Sequence, residues 1–331
     1  MTLSRLLSVA ALCLSANLTQ AAGFSYIDVP ADKDGPALRG AVWTPCDAPA
    51  SEIKLGPYVV PAKLDCPIAG DRLPLVVLSH GYGGSMLGHH DTAETLANAG
   101  FAVAAINHSS DNYQIRGGPN DRISALATRT TDIQRLIDYM LRQWPAHATL
   151  AADKIGFFGF SRGGYTGLVL GGARPDFERL PPLPSSPCAT APAGPACGQM
   201  RQRFQELLAS PLAHDTRIRA AVIADPFSAV FDAEGLKGVT IPIQLWASAY
   251  GGDGVTPENV ATVRRGLPAA PDWRVAENAA HFGFLAPCSP AQLEANSEIC
   301  RDGPGFDRVA FHADFNAKVL AFFRQHLAPK P

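Results

Sequence analysis

Gly159-Phe160-Ser161-Arg162-Gly163 sets one serine between two glycines, after the run Lys154–Phe160 and before the apolar stretch Arg162–Leu170. A serine hydroxyl is a weak nucleophile unless a neighbouring base takes its proton and a turn presents it. A sharp strand-to-helix turn presents it, and the flanking glycines remove side chains that would collide there. The following helix N-terminus favours the negative charge that develops on an attacked carbonyl. The pattern therefore marks Ser161 as a candidate nucleophile for acyl transfer.

Acyl transfer also needs donors for the oxyanion, a base and a carboxylate to orient that base. The backbone N–H of Arg162, directly after the serine, is one expected donor. The second is expected from His80-Gly81-Tyr82-Gly83-Gly84, a glycine-rich loop in which backbone can approach substrate closely, with the N–H of Tyr82 favoured. That loop lacks the Gly-Lys-Ser/Thr ending of a nucleotide cradle. His281 lies late in the chain, in a loop before the last helix, and is the candidate base. Two carboxylates are candidates for the acid: Asp253 in Gly251-Gly252-Asp253-Gly254, which is favoured, and Asp225 in Ala224-Asp225-Pro226, the alternative. Among the other histidines, His80 is expected to orient its own loop, and His89 and His90 to lie at a helix start. No His-Glu-x-x-His motif occurs, so neither a metal nor a cofactor is expected.

Positioning these groups requires a sheet. Leu75–Ser79, Phe101–Ile106, Lys154–Phe160, Ala220–Ala224 and Ile241–Ala247 are short, nearly continuous apolar runs, as in parallel strands covered on both faces. Strands are also expected at Phe24–Val29, Leu38–Thr44 and Trp273–Ala276, with a Pro-rich loop between Thr44 and Arg72. Helices are expected at about 92–99, around Ile133–Leu141, at Arg162–Leu170 and from about Asp307 to Leu327. The alternation predicts an α/β protein with a mostly parallel sheet flanked by helices. Segment 171–217 is Pro-rich and too long for an ordinary connection, and it reads as a lid insertion.

The 331 residues suffice for one large domain; 47% are hydrophobic, 18% are charged and the net charge is −2. No basic block points to nucleic acid. Arg5, the apolar stretch Leu6–Leu14 and Thr19-Gln20-Ala21 form the layout of a signal peptide over residues 1–21, too short to anchor the chain across a bilayer. The expectation is a periplasmic or secreted protein whose domain spans 22–331. Outside that peptide, which holds Cys13, six cysteines form three local couples in Pro-rich regions. The expected disulfides are Cys46–Cys66, Cys188–Cys197 and Cys288–Cys300.

Several stretches resemble a known group. Leu75–Ser85, Gly100–Ser110, Asp153–Tyr165 and Ala279–Cys288 look like the predicted dienelactone hydrolase family. That family is related to plasma-type platelet-activating-factor acetylhydrolases and, more distantly, to bacterial cutinases and polyester hydrolases. The similarity runs from about Phe24 to Leu327. It implies an α/β-hydrolase fold, a nucleophile at Ser161, a base at His281 and a small-molecule or lipid ester as substrate. It divides over the acid: Asp253-Gly254-Val255-Thr256-Pro257 is similar to the acid loop of the polyester hydrolases, and Ala224-Asp225-Pro226 to that of the acetylhydrolases. True dienelactone hydrolases use a cysteine where this chain has Ser161. An amidase or peptidase on the same triad, and an inactive binding protein on the same fold, are the alternative readings.

Overall fold

A computed structural model describes residues 22–115, 122–180, 187–208, 212–295 and 297–327. The expected signal peptide, at 1–21, lies outside the described residues. Among those residues, β5 (Leu73–Ser79), β6 (Ala102–Ile106), β7 (Leu150–Phe160), β8 (Ile218–Ala224), β9 (Ile243–Ser248) and β10 (Asp272–Ala276) form a parallel block. Beyond β6 come β2 (Leu38–Thr44), antiparallel to β6, and β1 (Ala22–Val29), antiparallel to β2, then β4 (Tyr58–Leu64), parallel to β1, and β3 (Ser51–Leu55), antiparallel to β4. The spatial order is β10-β9-β8-β7-β5-β6-β2-β1-β4-β3. This is a mixed ten-stranded sheet with a parallel centre.

The β3–β4 hairpin corrects the expected loop between Thr44 and Arg72. Ser51–Leu55 and Tyr58–Leu64 pair antiparallel across Gly56-Pro57, with Gly56 at φ +60°. Pro61 disfavours a strand because it cannot donate to a ladder. It is tolerated because β4 pairs with β1 only from Ala22↔Ala62 to Phe24↔Leu64, beyond the proline.

Successive residues of the central strands point to opposite faces, so each strand feeds two cores. Leu75 and Val77 join a core closed by α2 (Arg122–Arg142), α3 (Arg162–Leu170), α6 (Ala233–Leu236) and α7 (Pro257–Gly266). Val76 and Leu78 join the opposite core, closed by α1 (His90–Asn98) and α9 (Arg308–Leu327), which brings Phe315, Val319 and Phe323. With both faces covered, the strands need no polar side, which explains their continuous apolar runs.

Within 171–217, α4 (Pro187–Thr190) and α5 (Pro195–Leu208) are joined by the Cys188–Cys197 disulfide, and α5 lies against α2. Cys46–Cys66 ties the end of β2 to the end of β4, and Cys288–Cys300 closes the loop around α8 (Pro290–Glu294). Among the described residues no helix is long and apolar enough to cross a membrane.

Candidate active site

Ser161 occupies the turn between β7 and α3 at φ +55°, ψ −117°. An L-residue is strained at such positive φ, and strain of this kind persists only where the surroundings enforce it. They do so here by close backbone approach. A Cβ on Gly159 would meet the Gly163 carbonyl oxygen at 2.2 Å, and one on Gly163 would meet the Ser79 carbonyl oxygen at 1.9 Å. Both flanking glycines are therefore obligatory. The Ser161 N–H donates to the Ala224 carbonyl (3.0 Å), and its own carbonyl accepts from Tyr165 (3.1 Å) and Phe227 (3.0 Å). These bonds sew the turn to the end of β8, where Asp225 follows.

Asp225 is fully buried and at φ +43°. Its Oδ2 lies 2.7 Å from His281 Nδ1 and accepts from the Ser248 hydroxyl at 2.7 Å; its Oδ1 accepts the Ser248 N–H at 2.8 Å. The His281 ring stacks on Phe160 at 4.6 Å, and the residue's backbone N–H donates to the Gly251 carbonyl at 2.8 Å. With the Nδ1 proton held by a carboxylate, Nε2 carries the lone pair. That nitrogen is buried and has no hydrogen-bond partner among the described residues, the Ser161 hydroxyl included. Serine, imidazole and carboxylate therefore meet around Phe160 at the C-terminal ends of β7 and β8.

The carboxylate beside His281 is that of Asp225, the alternative, and not that of the favoured Asp253. Asp253 is exposed at φ +47° in a tight turn with Gly251, Gly252 and Gly254, all at positive φ. A bridge between Gly251 and Ala280 and the Gly252–Val255 hydrogen bonds close that turn on itself. The loop meets His281 through the backbone of Gly251 instead, while Ser248, the last residue of β9, holds Asp225. Sequence reasoning missed Ser248, because nothing about a serine ending a strand distinguishes it.

Hydrogen bonds also set one of the two expected oxyanion donors, Tyr82. The Gly81 carbonyl lies 2.7 Å from His80 Nδ1 and accepts from the Gly84 N–H at 3.2 Å. His80 Nε2 accepts the His108 N–H at 3.2 Å, so the His80 proton sits on Nδ1 and is donated to Gly81. Carbonyl and N–H of a trans peptide point in opposite directions, so pinning the Gly81 carbonyl fixes the direction of the Tyr82 N–H. Among the described residues neither the Tyr82 N–H nor the Arg162 N–H has an acceptor. Burial, helped by the Arg129 charge, holds His80 well below the usual imidazole value, which keeps it neutral for this role.

Beneath the loop, Ser79 Oγ lies 2.8 Å from His108 Nε2, and His108 Nδ1 lies 3.1 Å from Asp132 Oδ2. This second Ser–His–Asp line is closed to solvent, with Ser79 and His108 both at 0% exposure. Burial lowers His108 and raises Asp132 to about 6. On the other side, His312 joins Asp91 Oδ2 (2.6 Å) to the Gly283 carbonyl (2.9 Å), bracing the turn that begins with His281. His90 does begin α1, and His89 precedes it between Phe158 and Phe160. The partners in these lines lie far apart in the chain, so no local spacing announces them.

A serine turn on a central parallel strand, a histidine after the last strand and glycine-rich backbone beside β5 belong to the α/β-hydrolase fold, and that is the class of this protein. Residues 48–118, which carry the Gly81–Gly84 loop, match the family described as platelet-activating factor acetylhydrolase, isoform II. Among solved structures the chain is similar to a ferulic acid esterase from Streptomyces cinnamoneus, at 19% identity and a TM-score of 0.62, over 96% of this chain and 92% of that one. No curated protein matches it.

Proposed function

We propose that this protein is an exported serine hydrolase that cleaves carboxylic esters through an acyl-enzyme, with Ser161 as nucleophile, His281 as base and Asp225 as acid. The observation that carries the reading is the strained Ser161 turn beside a buried imidazole whose Nδ1 is held 2.7 Å from a carboxylate. Such strain has a use when a hydroxyl must project toward substrate. The acetylhydrolase match over residues 48–118 and the likeness to an esterase structure point to the same bond type.

Ser161 Oγ attacks the ester carbonyl carbon as His281 Nε2 takes its proton. Asp225 holds the ring and stabilises the imidazolium. The Tyr82 and Arg162 N–H groups bind the oxyanion, and losing one such donor costs about 3 kcal/mol of transition-state stabilisation. The imidazolium then protonates the departing alkoxide, and a water activated by His281 releases the acid. Tyr82 and Tyr113 expose 40% and 57% of their surface, and the Tyr113 N–H donates to Gly84 at the edge of the oxyanion loop. That rim suits an ester with an apolar acyl or alcohol group. Three disulfides agree with export to an oxidising compartment.

The test is labelling by a fluorophosphonate together with hydrolysis of p-nitrophenyl esters from C2 to C12. The wild type should be labelled and active, and Ser161→Ala neither, with its melting temperature retained. Substantial esterase activity in Ser161→Ala would overturn the assignment.

A further inference from the structure

The two proposed oxyanion donors sit on segments distant in sequence, Tyr82 after β5 and Arg162 at the start of α3, and one carboxylate touches both segments. Asp111 Oδ1 accepts the Gly83 N–H at 2.9 Å, while its Oδ2 accepts from Arg162 Nη1 at 2.9 Å and from Arg129 Nη1 at 2.8 Å. We propose that Asp111 is a positioning residue for ester hydrolysis, bridging the Tyr82 and Arg162 segments so that their N–H groups converge on one oxyanion; this rests on the serine-esterase reading above.

The bridge is anchored rather than loose. Asp111 is 3% exposed and Arg129 is fully buried. Arg129 reaches from α2 to Thr166 Oγ1 in α3 (3.1 Å), to Ser79 Oγ (3.2 Å) and to the His80 carbonyl. The Arg162 guanidinium also lies over the Tyr82 ring, 4.2 Å from its centroid, so the two segments touch directly as well. Burial alone would push the Asp111 carboxyl up, but the two guanidinium groups and the Gly83 N–H outweigh it and hold it at about 2.

Each arm ends where it can steer a donor. With the Gly81 carbonyl pinned by His80 and the Gly83 N–H pinned by Asp111, the peptides on both sides of Tyr82 are held, and Tyr82 cannot rotate its N–H away. The Arg162 side chain is held by the same carboxylate, which restrains the first residue of α3. A purely stabilising ion pair would have no reason to end on these two segments.

The experiment compares wild type with Asp111→Ala, Asp111→Asn and Arg162→Gln, using p-nitrophenyl butyrate and an alkyl trifluoromethyl ketone whose serine adduct places an oxyanion at the donors. Fluorophosphonate titration gives the concentration of competent Ser161. Displacing the donors by an ångström should lower kcat about 100-fold in Asp111→Ala with little change in KM. Asp111→Asn keeps an acceptor for Gly83 but loses the arginine arm, and should fall roughly tenfold, as should Arg162→Gln, which leaves the Gly83 bond intact. The ketone's Ki should rise in step with the loss in kcat/KM, which a general loss of stability would not produce. If Asp111→Ala does not fold, the other two variants decide. Wild-type kcat/KM and Ki in both, on an active and labelled parent, would overturn the proposal alone. A parent that hydrolyses no ester and takes no probe at Ser161 would overturn the esterase reading and this proposal with it.

Discussion

Asp225 Oδ2 stands 2.7 Å from His281 Nδ1 although 56 positions separate the two residues, and both are almost completely buried. The carboxylate comes from the end of β8, next to the strand that carries the nucleophile. Ser248, at the end of β9, donates to both its oxygens.

That contact separates the two candidate acids by experiment. Asp225→Asn should lower kcat for p-nitrophenyl esters by about 10⁴-fold, because an amide can hold the imidazole in the wrong tautomer. Asp253→Asn should leave kcat close to wild type, since Asp253 is exposed and the carboxylate on His281 Nδ1 is that of Asp225. The reverse ranking in steady-state kinetics would return the acid to the loop after β9.

Gly163→Ala places a methyl group 1.9 Å from the Ser79 carbonyl oxygen, a backbone atom in a central strand that cannot move aside. The cost should be about 3 kcal/mol or more, at the upper end for overpacking. Urea unfolding followed by fluorescence would measure it, and a variant within experimental error of wild type would show that the turn is looser than described.

Stability should fall as the medium is acidified from neutrality. Burial holds His80 and His108 well below their ordinary value of 6.5 and His89 at about 4. Below 6.5 the unfolded chain therefore binds protons that these three native histidines refuse, each removing about 1.4 kcal/mol of stability per pH unit. Asp132, raised by burial to about 6, opposes them: below that value the native carboxyl keeps a proton that the unfolded one releases until about 3.8. Glu94, also raised by burial, works in the same opposing direction. Three histidines against Asp132 and Glu94 leave a net loss, so the melting temperature should be lower at pH 5.5 than at pH 7.5. Calorimetry showing an equal or higher value at pH 5.5 would contradict this account.

Cys46–Cys66 spans 20 positions and restrains the strands at one end of the sheet. Replacing both cysteines by serine should cost about 3 kcal/mol, mainly by enlarging the unfolded ensemble. Turnover by the folded variant should not change, because neither residue touches Ser161, His281 or Asp225. A large drop in kcat without a drop in melting temperature would contradict that separation.

The amino-acid sequence by itself determined whatever rests on neighbours along the chain. The Ser161 turn was legible because the two glycines and the change from strand to helix are local, and the same steric collisions that require them are those the structure displays at Gly159 and Gly163. The parallel centre of the sheet was legible because strands covered on both faces read as unbroken apolar runs. Pro61 hid the β3–β4 hairpin, since an internal proline is tolerated only where the ladder on that side has ended, which is a fact of pairing.

Only the tertiary structure shows which of Asp225 and Asp253 lies against His281. Both follow strand ends, and the outcome depends on how four positive-φ residues turn the loop after β9 back on itself. The same holds for Asp111, Arg129, His108, Asp132 and His312: each joins segments tens or hundreds of positions apart. A carboxylate's partner is set by where the sheet order and the helix packing bring it, and a hydrogen bond spanning less than 3 Å leaves no periodicity in the sequence from which to read it.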